Sequence, residues 1–327
     1  MSSNTTNPYG TIGSLPNISG GIPTQPDFAP AIVFCILYGL LLPVCIWRTY
    51  TYRRPASLMW TFIRLTLFVA MRIATFGLRA SEAHAASLPN NPVPNLGAFI
   101  GEQVLLGIGF IVLADLMIEL LKSHIWRTDV PPAAETRWAL PQGRFSLQRI
   151  VRLMHLALIV AIALGIAAAA QYSGAINNAS TASQVQTLRV VSVALCLAVC
   201  GLLILVSLLL LVTHPHIGIS RTIYLLVVSC ILVIIPAYRL SSVTADPSLE
   251  ALISTGTQVK FYVLQGAMEW LVSVSLLLVD ARVWFFAGGE RAQMMLGGNS
   301  GSSERYPQAS ANGEQLAMGQ KNEGRYV

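Results

Sequence analysis

The chain has 327 residues, 54% of them hydrophobic and only 11% charged, with a mean hydropathy of +0.60. Soluble domains average about 25% charged residues, so the composition excludes an ordinary soluble domain and points into a bilayer. The net charge of +6 gives no ground for a nucleic-acid partner, because in a membrane chain the positions of Lys and Arg set orientation.

Residues 1–29 are rich in Ser, Thr, Asn, Gly and Pro, lack Lys and Arg, and read as a flexible tail outside the membrane. They hold no apolar core before residue 30, so no cleavable signal is expected. A hydrocarbon layer of about 30 Å needs roughly 20 apolar residues per helix. Seven stretches qualify, at about 30–49, 58–78, 97–121, 150–171, 188–213, 222–243 and 259–284. The expected fold is an all-α integral membrane bundle of seven transmembrane helices over residues 30–286. Residues 287–327 are poor in aliphatic side chains and read as a disordered cytoplasmic tail.

The first span carries Pro43, a candidate bend, and is followed by Arg48, Arg53 and Arg54. Arg64 and Arg72 stand inside the second span, and Arg79 is read as lying at its end. The third opens with "GAFIG", where Gly97 and Gly101 permit close helix approach, and holds Gly107, Gly109, Glu102, Asp115 and Glu119. A long basic loop, "KSHIWRTDVPPAAETRWALPQGRFSLQR", suits contact with anionic headgroups or the docking of a cytoplasmic protein partner. The fourth span contains His155 and, in "AIALGIAAAA", a face of small residues at Ala161, Gly165 and Ala169. The sixth contains "IIPAYRL", in which Pro236 removes a backbone hydrogen bond and predicts a kink one turn before Arg239. The seventh, "FYVLQGAMEWLVSVSLLLVDARVW", sets Glu269 and Asp280 among apolar residues.

Lys and Arg concentrate after the first, third, fifth and seventh spans, which predicts an outer N-terminus and a cytoplasmic C-terminus. Three sequons, at Asn4, Asn17 and Asn178, fall on the expected outer side and are glycosylation candidates. All five cysteines lie inside spans, so no disulfide framework is implied.

Ionisable residues inside spans face the bundle interior and pair. At 1.5 Å rise per residue, Glu269 lies roughly 22 Å above the inner end of its helix and Arg72 roughly 21 Å. Arg239 and Glu102 come out at roughly 26 and 28 Å. The arithmetic predicts an outer-half cluster of Arg72, Glu102, Arg239 and Glu269, which either staples the helices or binds a ligand. Arg64, Asp115 and Glu119 form a separate group nearer the inner side.

The histidines are too few and scattered for a catalytic metal or haem site, and Lys260 is at the edge of the last helix, where a retinal lysine would be central. No cofactor or catalytic residue is expected. Helix three ends "ELLKSHIWR" without an acidic-Arg-aromatic triplet and helix seven lacks an Asn-Pro pair, so the marks of rhodopsin-like receptors are missing.

Residues 28–286 nonetheless resemble an uncharacterised fungal seven-transmembrane family, loosely labelled GPCR-like. The resemblance rests on "VAMRIATFGLRA", "GAFIGEQVLLGIG", "RLMHLALIVAIALGIAAA", "IIPAYRL" and the Met-Glu of "YVLQGAMEWLVSVS". It implies a plasma-membrane or endomembrane protein of a fungus. The leading expectation is a non-enzymatic, receptor-like protein sensing a small-molecule or lipid ligand, in contact with membrane lipids. A lipid or small-molecule transporter or exporter is the alternative, and a structural membrane component a third.

Overall fold

The computed structural model describes residues 21–53, 56–88, 95–125, 142–175, 178–213, 218–244 and 252–285. Asn4, Asn17, most of the basic loop and the C-terminal tail lie outside the described residues.

Among the described residues, seven helices are long and apolar enough to cross a membrane. They are α1 (Phe28–Thr51), α2 (Ala56–Ala86), α3 (Leu96–Ile125), α4 (Gln142–Ala170), α5 (Ala179–Thr213), α6 (Ile219–Thr244) and α7 (Thr255–Leu278). Two boundaries differ from the sequence reading in ways that matter. Helix α2 runs two turns past residue 78, because "ASEAHAA" offers strong helix formers and no Gly or Pro before Pro89. Helix α7 stops at Leu278, where Val279 turns extended and Asp280 caps a separate short turn, Ala281–Trp284. Asp280 is therefore outside the span in which it was expected.

Neighbours in sequence pack as neighbours in space, and α7 closes the ring against α1 and α6. Helix α3 also touches α5 and α6. It is the central helix: 61% of its most apolar window is buried, against 17% for α1. Faces turned outward stay apolar, as with Ile36, Leu40 and Trp47 on α1 or Leu153, Leu156 and Ile159 on α4. An apolar exterior around a partly polar interior is what acyl chains demand, since they offer no partner for a polar side chain. The small face of α4 packs on α5: Ser192 Oγ donates to the Ala161 carbonyl at 2.8 Å, and a Cβ on Gly165 would lie 3.8 Å from Ser192 Oγ.

At the end where α1 begins, residues 21–27 lie across the bundle. Ile22 is buried with Phe99, Tyr172, Val185 and Leu252, and its amide donates to the Leu252 carbonyl at 3.1 Å. Gly21 takes φ +115°, and a Cβ there would sit 2.1 Å from the Leu252 oxygen, so only glycine fits. This strap ends in a turn, Gln25–Asp27, that leads directly into α1.

Candidate functional site

Arg72 leaves α2 and reaches across the middle of the bundle. Its guanidinium lies on the backbone of α3 where Gly109 leaves room; a Cβ at that position would be 2.7–2.9 Å from Nη1, Cζ and Nη2. It donates to the carbonyls of Leu105 at 3.1 Å and Leu106 at 3.3 Å, each using a lone pair beyond the helix ladder. Its other edge meets Glu269 of α7 in a two-pronged ion pair, at 2.5 Å from Nε and 2.8 Å from Nη2. Arg239 of α6 joins it, with Nη2 donating to Glu269 Oε1 at 3.2 Å and to the Leu106 carbonyl at 2.8 Å. Its Nε reaches Gln265 Oε1 at 3.3 Å. Two guanidiniums thus share one carboxylate, leaving a formal charge of +1 in the core.

Local irregularity sets these side chains. Pro236 lies inside α6, three residues before Arg239. In α7 a π-helical stretch, Tyr262–Ala267, immediately precedes Met268 and Glu269. A π turn inserts extra backbone into a helix and is common at functional sites. Here it leaves Gln265 and Glu269 both inward, and the Gly266 carbonyl accepts from Tyr38 Oη at 3.4 Å.

A cavity of about 50 Å³ adjoins the cluster between α3, α4, α5 and α6. Arg239, Arg189, Gln103 and Ser192 give it a polar side, and Ile108, Ile162, Ile166 and Gly107 an apolar one. At ~10–15 Å³ per water-sized probe, it has room for a small polar group. Ile166 is 52% exposed on the bundle exterior, so the cavity wall reaches the bilayer-facing surface.

Glu102 is not part of this cluster, contrary to the depth arithmetic. It pairs with Arg79 Nη1 at 2.7 Å, in a second buried layer nearer the strap. Arg79 Nη2 donates to Asp27 Oδ2 at 3.1 Å and its Nε to Tyr262 Oη at 3.2 Å. The extended α2 carries Arg79 inward about two turns before the helix ends, so a residue read as terminal is fully buried.

Toward the opposite end, Arg64 pairs with Asp115 at 2.7 Å, while Glu119 is bound by Lys122 at 2.9 Å. His155 of α4 completes this group, its Nδ1 3.0 Å from Asp115 Oδ1 and its Nε2 3.8 Å from Glu119 Oε2. Beyond the spans, Tyr52 bonds Arg48 and donates to Asp280 Oδ1 at 3.0 Å, tying α1 to the turn after α7. Burial first, and then the bond to the Asp280 carboxylate, push the Tyr52 phenol up to about 12.

No protein-family model, no curated protein and no solved structure matches the chain. It is a multi-pass helical membrane protein. Among the described residues no group of three or more His, Cys, Asp and Glu side chains could hold a metal ion.

Of the residues singled out from the sequence, Arg72, Arg239 and Glu269 are brought into contact, as are Arg64 and Asp115. Glu119 belongs to the latter group through His155. Asn178 is exposed and caps α5, its Oδ1 accepting from the Ser180 amide at 3.1 Å and hydroxyl at 2.8 Å. The sequence reading missed Asp27, Arg79, Glu82, Gln265 and His155 as cluster members. For Arg79 and Glu82 a signal existed in the unbroken helical composition as far as residue 86.

Proposed function

We propose that this protein is receptor-like and binds a small anionic amphiphile, its headgroup in the cavity between α3, α4, α5 and α6. One observation carries the reading: the cavity wall includes Arg239, one of two guanidiniums that share a single carboxylate. Guanidinium is the side-chain group best suited to a carboxylate or phosphate oxygen, through directed charge-assisted bonds. The apolar wall and its bilayer-facing edge suit an acyl or similar tail. The resemblance to fungal seven-transmembrane proteins is in keeping with a plasma-membrane or endomembrane receptor, N-terminus outward, whose cytoplasmic loops engage a protein partner.

The test is native mass spectrometry, with lipid extraction, on gently solubilised wild type and Gly107→Leu. A Cβ at Gly107 meets nothing within 4 Å, so the variant adds apolar bulk to the cavity wall without removing a charged group. The expected result is one anionic amphiphile per wild-type protein, absent from the variant. Equal retention by both, or no adduct at all, rejects the cavity as the binding site.

A transporter is the second reading, favoured by the two helix irregularities, Pro236 and the π turn, that flank the charge cluster. Broken helices at mid-membrane are where transporters bind and move substrates. Flux of the identified amphiphile into proteoliposomes, lost in Gly107→Leu, separates transport from sensing.

A further inference from the structure

The layer around Arg79 has an unbalanced charge that the reading above does not use. Three carboxyl groups are buried there: Asp27 and Glu102 fully, Glu82 with 3% of its surface exposed. Arg79 satisfies one oxygen of Glu102 and one of Asp27, and the Thr24 amide adds a second bond to the same Asp27 oxygen at 3.3 Å. Among the described residues four carboxyl oxygens find no donor: Asp27 Oδ1, Glu102 Oε2 and both oxygens of Glu82. Fully ionised, the layer would carry two net negative charges out of water.

Among the described residues, the other groups facing this layer bring no second cation into an ion pair with these carboxylates. Tyr262 of α7 donates its hydroxyl to the Asp27 carbonyl at 3.2 Å. Tyr238 of α6 lies within electrostatic reach of Arg79. On α2 itself, His84 places its ring 5.7 Å from that of Phe28. A buried ionised carboxylate without a donor or counter-ion is far costlier than the neutral acid, which can also donate a hydrogen bond. Glu82 stands three residues from Arg79, on the same face of α2, and lies within the field of both Glu102 and Arg79.

We propose that Glu82, Glu102 and Asp27 around Arg79 form a proton-binding site at the strap end of the bundle, with the proton on Glu82 at neutral pH. Binding converts the Glu82 carboxylate and one proton into the neutral acid. Release restores its negative charge beside Asp27 and Glu102, against the single guanidinium that holds the strap through Asp27. The site thus links proton occupancy to the strap over this end of the bundle, independently of any ligand in the α3–α6 cavity.

Infrared difference spectroscopy on the purified full chain tests this. The wild type is expected to show a protonated-carboxyl C=O band at neutral pH that shifts in heavy water and disappears as pH is raised. Glu82→Gln mimics the neutral acid in shape and is expected to fold normally and lose that band. A Glu82→Asp variant, keeping a carboxyl, should retain a band at shifted frequency. Spectra repeated in sodium and in a bulky organic cation separate proton from metal: a band seen only without sodium assigns the site to a metal cation and overturns the proposal. So does the absence of any such band in the wild type, or a band that survives Glu82→Gln unchanged.

Discussion

Arg72 and Glu269 meet face to face in the centre of the bundle, Nε and Nη2 on the two carboxylate oxygens at 2.5 and 2.8 Å, with neither side chain exposed. The pair joins α2 to α7, and Arg239 brings in α6. Its geometry is over-determined on the arginine side, since the Leu105 and Leu106 carbonyls take two more of the guanidinium's N–H donors. The carboxylate is the scarce element.

Glu269→Gln should therefore be the most damaging single change in this layer, costing about 3–5 kcal/mol because it strands two buried guanidiniums. Arg239→Gln should cost less, about 1–3 kcal/mol for the bonds it loses, since one guanidinium still matches one carboxylate. Thermal unfolding of both variants in the same detergent checks the order. Equal losses would show that the imbalance of charge has no energetic weight.

Gly109 and Gly107 lie half a turn apart on α3 and should respond oppositely to alanine. At Gly109 the new methyl meets the Arg72 guanidinium at 2.7 Å, so overpacking of about 1–3 kcal/mol is expected. At Gly107 nothing lies within 4 Å, so alanine should be neutral or gain up to about 1 kcal/mol in helix propensity. Melting temperatures of the two variants decide it.

Tyr52 makes stability depend on alkaline pH. An unfolded phenol ionises near pH ~10, whereas in the native protein the Tyr52 phenol is pushed up to about 12. Between these values the folded state holds more protons than the unfolded one, so stability falls as pH rises through the window. Below pH ~10 both states keep the proton and the contribution is complete. Tyrosinate absorbance should show one fewer phenol titrating near 12 in Tyr52→Phe, and the alkaline loss of melting temperature should be reduced. An identical alkaline profile for wild type and variant would remove the Asp280 contact from the account.

Asn178 reports on sidedness. A variant keeping this sequon alone, with Asn4→Gln and Asn17→Gln, should lose mass on N-glycosidase treatment after expression in a eukaryotic membrane. Replacing Asn178 by Asp as well should abolish the shift while keeping the α5 cap, whereas Ala should also cost about 1 kcal/mol. No shift in the first variant, with full accessibility of the epitope-tagged C-terminus from outside, would reverse the expected orientation.

Much of this architecture follows from the sequence alone. The apolar lengths give seven helices, and the axial rise gives the depth at which Arg72 and Glu269 stand. Depth along a straight helix is a one-dimensional quantity that composition and counting can supply. It is also why Arg64 and Asp115 were matched from their positions. Tertiary structure decided what lies around each axis and beyond each helix end. Glu102 sits near the depth of Arg239 yet bonds Arg79, because α2 continues two turns and turns that guanidinium toward α3. Asp27 becomes a buried counter-ion only because the strap folds back over the bundle. Gln265 and Glu269 share an inward face through a π turn whose extra backbone no hydrophobic period announces. Which carboxylate finds a donor, and which is left to find a proton, depends on rotation and closure in three dimensions.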